Sequence, residues 1–289
     1  MEAGHYRRRL QRRTFPGVAV LCYHGIRAAG QHTPFEKLHV TVDEFESHCL
    51  LARSCCNLIS LAELHAARLG KIKLPDKSLL MTFDDGYRSV LTRALPVLKA
   101  HAIPAALFVC TEPVRTQTPF WFDSTAQARG EAAVEPMKTL PFEQWRRAVA
   151  SDAVDAKLDD STAPLTVEDI RTLADSGLVE IGAHTESHPI LKQASVDQQR
   201  TEIICSKRAI QEWTGRDVTA FAYPNGRPGL DYGPETVALL RETGFTLAFS
   251  TRNSFASVKE PDLELSRFVM LAGVSQAELA HRLTYSWRH

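Results

Sequence analysis

An apolar run, Leu79-Leu80-Met81-Thr82-Phe83, delivers the chain into two adjacent carboxylates and a glycine, Asp84-Asp85-Gly86. Two like charges buried side by side push one of the pair toward protonation unless a cation neutralises them. A metal ion is one resolution. The other is a strand-ending turn in which Asp84 or Asp85 caps the helix that follows. A second run, Val179-Glu180-Ile181-Gly182-Ala183, ends in His184-Thr185-Glu186-Ser187-His188-Pro189. Histidines four apart, on a helical turn or where a strand tip bends into a loop, can reach one ion, although a close histidine pair is also a common surface feature. If both runs are strands of one barrel, their tips converge on the same face. One carboxylate and two imidazoles then form a three-ligand site with room for water, which is catalytic in form.

The elements that must position these residues are legible as alternation. Apolar runs at 18–23, 78–83, 105–110, 179–183, 220–223, 246–250 and 266–269 read as strands, and helical patterns at 42–52, 61–69, 87–100, 167–176, 196–214 and 234–243 lie between them. Ser60 with Glu63 forms a capping-box pattern, Thr41 is a reasonable N-cap, and Gly177, Gly215 and Gly244 stand where helices end. This order predicts an α/β fold, a closed or nearly closed parallel barrel of about seven strand-helix units, with ligands at the C-terminal strand ends. The stretch 112–164 is longer than an ordinary connection and carries Phe120-Trp121-Phe122 and Trp145. It reads as helices over one rim, with the aromatic residues either a sugar platform or packed against the barrel. The domain reading is a basic arm over 1–16 and one domain over 17–289 containing that insert.

Lys plus Arg equals Asp plus Glu at 34 each, so the average charge provides no field favouring nucleic acid or a membrane surface. The local exception is Arg7, Arg8, Arg9, Arg12 and Arg13, which reads either as a solvated, partly disordered arm or as a peripheral contact with anionic lipid. The run 18–22 is too short for a signal-peptide core, and no segment has the roughly 20 apolar residues that span a bilayer. With six cysteines and no C-x-x-C pair, the expectation is a cytoplasmic protein with reduced thiols.

The pair Thr82-Phe83-Asp84-Asp85-Gly86 and His184-Thr185-x-x-His188, in this order and each at a strand end, resembles the NodB-homology polysaccharide deacetylases, carbohydrate esterase family 4. The resemblance runs from about Val18 to Val269. It implies a distorted β/α barrel and hydrolysis of N-acetyl groups on amino sugars with a divalent metal, usually zinc, with cobalt, nickel, manganese or iron as other occupants. Carried over, Asp85, His184 and His188 bind the metal and Asp84 is the general base. Leu21-Cys22-Tyr23-His24-Gly25 resembles a circularly permuted subgroup in which the histidine of an N-terminal Tyr-His replaces the acid of a C-terminal Leu-x-His, and Leu265-Ser266-Arg267-Phe268 has no histidine. His24 is therefore the expected acid, against the alternative of a buried histidine satisfied by backbone. In Phe221-Ala222-Tyr223-Pro224-Asn225-Gly226-Arg227 the family's arginine before the proline is missing. Arg267, or less favourably Arg227, is expected to brace the base, with Tyr223 and Pro224 at the rim and the Tyr223 N–H as oxyanion donor. The Asp-Trp motif of the acetyl pocket is not recognisable, leaving acetyl and formyl both open.

The expected substrate is an intracellular nucleotide- or lipid-linked N-acylated sugar. Two rivals remain: a non-catalytic carbohydrate-binding protein on the same scaffold, and a non-haem iron oxygenase, which also uses two histidines and a carboxylate but would sit on a jelly roll.

Overall fold

The computed structural model describes residues 2–153, 156–160 and 162–285. Residue 1 of the expected arm, residues 154, 155 and 161 of the expected insert, and the end of the expected domain, 286–289, lie outside the described residues. Ten strands are β1 (Ala19–Tyr23), β2 (Ile26–Arg27), β3 (Val40–Thr41), β4 (Asn57–Leu58), β5 (Ser78–Phe83), β6 (Ala105–Val109), β7 (Val179–Ala183), β8 (Ala220–Ala222), β9 (Leu247–Phe249) and β10 (Phe268–Val269). The main sheet runs β10-β1-β5-β6-β7-β8-β9, with β4 added beside β5 and each of these neighbouring pairs parallel. It curls into a distorted barrel. The segment before β10 joins its ends, since Leu265 N–H donates to the Ala248 carbonyl and Ser250 N–H to that of Leu265, both at 2.8 Å.

All seven expected strands are present, each within its expected bounds. They were readable because both faces of a parallel barrel strand are buried, so β1 and β5 are buried along their whole length and, Ser78 and Thr82 aside, apolar. Alternate residues serve two cores. Val20, Leu80, Phe108, Ala222 and Phe249 fill the interior, whereas Leu21, Met81 and Leu107 face the helices. Gly182 admits the Phe108 ring: a Cβ there would lie 2.5 Å from it.

Reciprocal capping boxes start the helices Val42–Cys55, Leu61–Arg68, Val167–Asp175 and Val196–Thr214. Gly177, Gly215 and Gly244 take left-handed φ of 72°, 66° and 79° at helix ends. The helix expected over 87–100 is broken into a π-helical turn, Val90–Ala94, and an α-helix, Leu95–His101. Pro96 has no N–H for the ordinary i→i−4 bond, and Leu95 N–H reaches back to Val90. Residues Glu2–Gln11 form a helix rather than a disordered arm, with Leu10 buried and Tyr6 edge-on to His281 of the last helix, Gln276–Tyr285.

The insert is helical, and its aromatics are packing residues first. Phe120, Trp121, Phe122 and Trp145 are all buried, with Tyr87, Cys110, Val134 and Met137.

Candidate active site

At the end of β5, Asp84 N–H still donates to the Tyr23 carbonyl at 2.9 Å, but Asp85 turns left-handed with φ 72°. Gly86 follows at φ 105° and completes a reversal that aims the Asp85 carboxylate across the strand ends. Thr185 (φ 68°), His188 (φ 62°) and Asn225 (φ 56°) are held in the same region of backbone space. Four of the seven non-glycine residues with positive φ among those described thus gather at these strand tips, as strained backbone does at functional sites.

Asp84 is gripped by Arg267. The guanidinium makes a fork, Nη1 to Oδ1 and Nη2 to Oδ2, each at 2.7 Å, with both side chains buried. Arg267 Nε donates to the Ser250 carbonyl at 3.1 Å, and the guanidinium carbon lies 5.8 Å from the Phe108 and Phe249 ring centres. Burial alone would push the Asp84 carboxyl up, but the Arg267 charge overrides it and holds the group well below the carboxylate range. Arg227, the other bracing candidate, is committed elsewhere, forked onto Asp231 at 2.9 Å on both arms.

Asp85, His184 and His188 offer ligand atoms that all lie within 4.8 Å of one another. The Nε2 atoms of both histidines are 3.5 Å from Asp85 Oδ1, too far for a good hydrogen bond, and that oxygen is buried with no hydrogen-bond partner. His184 Nδ1 faces the Ala222 carbonyl at 2.7 Å, so the proton sits there and Nε2 is left with its lone pair toward Asp85. Burial pushes His188 down to about 3, keeping it neutral as a ligand must be, whereas at His184 the Asp84 and Asp85 carboxylates outweigh burial and raise it, favouring a proton that a cation on Asp85 would displace. A buried orphaned carboxylate oxygen between two imidazole lone pairs fits a divalent cation.

The histidine loop is supported from behind by a residue that sequence reasoning missed. Glu202, on the helix Val196–Thr214, accepts the N–H groups of Glu186 and Ser187 at 2.9 and 2.8 Å and the Ser187 hydroxyl at 2.5 Å. Burial raises its carboxyl to about 7 against those bonds. Thr185 Oγ1 accepts the His188 N–H at 3.0 Å, fixing the loop from within.

His24 lines the same cleft just past the tip of β1, within 4.8 Å of Asp84, with its Nδ1 buried and unpartnered. Gly25 beside it is packed flat by His39, which is buried: a Cβ at Gly25 would lie 2.3 Å from His39 Nδ1. His39 leans edge-on against Tyr87 at 4.7 Å, whose hydroxyl donates to Asp123 at 2.8 Å.

Tyr223 is not available as the expected oxyanion donor. Its N–H donates to the Phe249 carbonyl at 3.2 Å, completing the β8–β9 ladder, its ring stacks on Tyr232, and its hydroxyl donates to the Leu263 carbonyl at 2.7 Å. Pro224 is likewise buried and starts the turn. Asn225 lines the cleft instead, and its side-chain amide nitrogen is buried without a partner. The Asn-Gly pair after a strand tip was the available signal for it. Above these residues opens a cleft of about 570 Å³, floored by His24, Asp85, His184 and His188 and walled by Phe35 and Phe122 among others.

A protein-family model described as polysaccharide deacetylase matches residues 71–248. The chain belongs to that family. The Bacillus subtilis (strain 168) protein YxkH is 23% identical over 259 residues, 89% of this chain and 73% of its own. A poly-β-1,6-N-acetyl-D-glucosamine N-deacetylase of Escherichia coli (strain K12) is 29% identical over 127 residues, covering 44% of this chain and 14% of that enzyme. Among solved structures, the Streptococcus pyogenes deacetylase PplD in complex with acetate superposes at a TM-score of 0.68, with 22% identity over 92% of this chain and 98% of its own. IcaB from Ammonifex degensii superposes at 0.65, with 23% identity over 93% and 97% of the two chains. These structures share the deacetylase β/α barrel. The parallel sheet leaves no place for the jelly roll of an iron oxygenase.

Proposed function

We propose that this polysaccharide deacetylase family member is a metal-dependent hydrolase that removes an N-acetyl or N-formyl group from an amino-sugar unit. The observation that carries this reading is the division of labour between adjacent carboxylates. Asp84 is kept ionised by a buried arginine, while Asp85 shares its orphaned oxygen with two imidazoles at the base of a cleft.

A divalent ion held by Asp85, His184 and His188, zinc being the favoured occupant, would polarise the acyl carbonyl and acidify a water molecule. Asp84, ionised at any ordinary pH, would act as the general base that takes the proton of the attacking water. Its fork with Arg267 directs both its oxygens and prevents the carboxyl from rotating away. His24, whose ring lies within 4.8 Å of the Asp84 carboxylate, gives a proton to the departing amine, which an amide nitrogen needs to leave. The unpartnered amide of Asn225 faces the same cleft and is the donor suited to the developing oxyanion, in the place expected of Tyr223. Phe35, Phe122 and Leu271 offer apolar faces to the sugar ring.

The substrate class follows from the family and from an open-mouthed cleft: an N-acylated hexosamine within a glycan or on a nucleotide- or lipid-linked intermediate, the intracellular carrier-linked form being the sequence-based expectation. Mass spectrometry of free, polymeric, nucleotide-linked and lipid-linked sugars, incubated with the metal-loaded protein and with its Asp84→Asn variant, tests this. Loss of an acyl mass only with the unmodified chain supports the reading, with Asp84→Asn slower by roughly 10²-fold or more. Sugar binding without turnover would replace it with a binding role.

A further inference from the structure

The pole of the barrel opposite the cleft carries features that hydrolysis does not use. Three segments meet there at the N-terminal strand ends. Lys77 Nζ donates to the Gln11 carbonyl at the end of the first helix, Phe15 N–H to Asp76, and Arg68 Nη1 to the Ser257 carbonyl, each at 3.0 Å. A cavity of about 380 Å³ lies among them, lined by Phe15, Ile72, Lys73, Leu74 and Val258. Its rim is apolar and uncovered: Val258 is 85% exposed and Ile72 44%, and Leu69, next to the lining residue Arg68 in sequence, is 54% exposed.

Cations lie along that rim. Lys73 lines the cavity, Lys71 and Lys259 stand next to Ile72 and Val258 in sequence, and Arg12 follows Gln11, which Lys77 contacts; all four are exposed, and none forms an ion pair with a described residue. Of the acids nearby two are paired with cations, and Asp76 keeps its charge. Asp76 accepts two backbone N–H groups, Asp262 is paired with Arg68, and Glu260 is paired with Arg252 and accepts from Ser266. Apolar tips flanked by unpaired cations match an interface with anionic head groups outside and acyl chains beneath.

We propose that this pole docks on an anionic lipid surface, with Leu69, Ile72 and Val258 entering the head-group layer and the lysines and Arg12 on the lipid phosphates. The docked barrel then presents its cleft away from the bilayer, at least one strand length off, roughly 20 Å for a six-residue strand. That orientation favours an acyl group on a glycan extending from the surface over one held at the head groups. This last step rests on the deacylase reading; the docking itself does not.

Flotation of the full chain with vesicles of phosphatidylglycerol and phosphatidylcholine, against phosphatidylcholine alone, tests the docking. Binding is expected only to the anionic vesicles and is expected to fall with salt. The triple variant Arg12→Glu, Lys73→Glu and Lys259→Glu is expected to bind at least tenfold less. The pair Ile72→Asp and Val258→Asp is expected to weaken binding while the melting temperature holds, the changed side chains being exposed. A full chain that stays in solution, or a triple variant that floats undiminished, overturns the proposal, as does binding to nucleic acid with none to vesicles. For orientation, an environment-sensitive fluorophore on Val258→Cys is expected to shift to the blue on the vesicles, while one on Lys37→Cys at the cleft mouth does not. The reverse pattern overturns the orientation and leaves the deacylase reading untouched.

Discussion

Replacing Arg267 by methionine isolates the feature on which the chemistry depends. The side chain is fully buried and forked onto Asp84 through two 2.7 Å bonds. Removing one partner of such a pair costs about 3–5 kcal/mol if the other charge stays. The carboxyl has a cheaper course, which is to take up a proton. Burial raises a carboxyl by up to about 3–5 units when nothing opposes it, and Asp84 is buried with Arg267 as its main opposing charge. The folded variant should therefore carry Asp84 protonated near neutrality, a state in which it cannot act as a base. The assay is the pH profile of kcat/KM for amine release from an N-acetylated oligosaccharide, followed in parallel with the melting temperature. Arg267→Met is expected to move the acid limb up to or above neutrality, cutting the rate at neutral pH by up to about 10²-fold, with recovery at alkaline pH. Arg267→Lys retains the charge but loses the fork, so its limb should lie between the two. An acid limb that stays in place in a folded Arg267→Met chain would refute the reasoning.

Gly25→Ala places a methyl 2.3 Å from His39 Nδ1; it is expected to cost about 1–3 kcal/mol and displace His24, and the double variant with His39→Ala should recover activity if the clash is the cause. Glu202→Gln turns an amide toward the N–H groups of Glu186 and Ser187 that the carboxylate now accepts, and metal affinity in a chelator competition should fall about 10- to 100-fold with the melting temperature far less affected. Burial raises the Asp123 carboxyl to about 8, so the folded chain holds a proton there that the unfolded chain releases above the ordinary value near 3.8. Stability from this group is full below that ordinary value and declines as pH rises toward 8. Asp123→Asn, which can still accept from Tyr87, should then be the more stable chain by a margin that grows by about 1.4 kcal/mol per pH unit across that window, and equal pH slopes in the two chains would count against a buried proton.

The barrel was legible because burial on both faces leaves a strong imprint on a short segment. The run over 78–83 is mostly apolar because Leu79, Met81 and Phe83 meet helices and Leu80 joins Phe108 and Phe249 inside the barrel, while the buried Thr82 hydroxyl donates to the Leu21 carbonyl. The elements that were missed lack such an imprint. β4 is two residues long and hangs on β5 by Asn57 and Leu58. The helix Glu2–Gln11 has a polar, arginine-rich surface and buries chiefly Leu10, so its order depends on a partner helix almost the whole chain away in sequence. No local pattern announces a contact of that kind.

The site divides along the same line. Asp84, Asp85, His184 and His188 announce themselves because each pair is adjacent or four apart on one strand tip, so a linear reading already holds the geometry. Arg267 and His24 come from strands that flank that pair in space and not in sequence; only the β10-β1-β5 order places them at the two carboxylates. Tyr223 and Asn225 show what happens when register is unknown. They stand two residues apart, yet Tyr223 N–H completes the β8–β9 ladder while Asn225, past the proline and left-handed, faces the cleft. A donor assignment made within a loop is therefore decided by where the strand stops pairing, and here β8 stops pairing one peptide before the chain becomes free to meet a substrate.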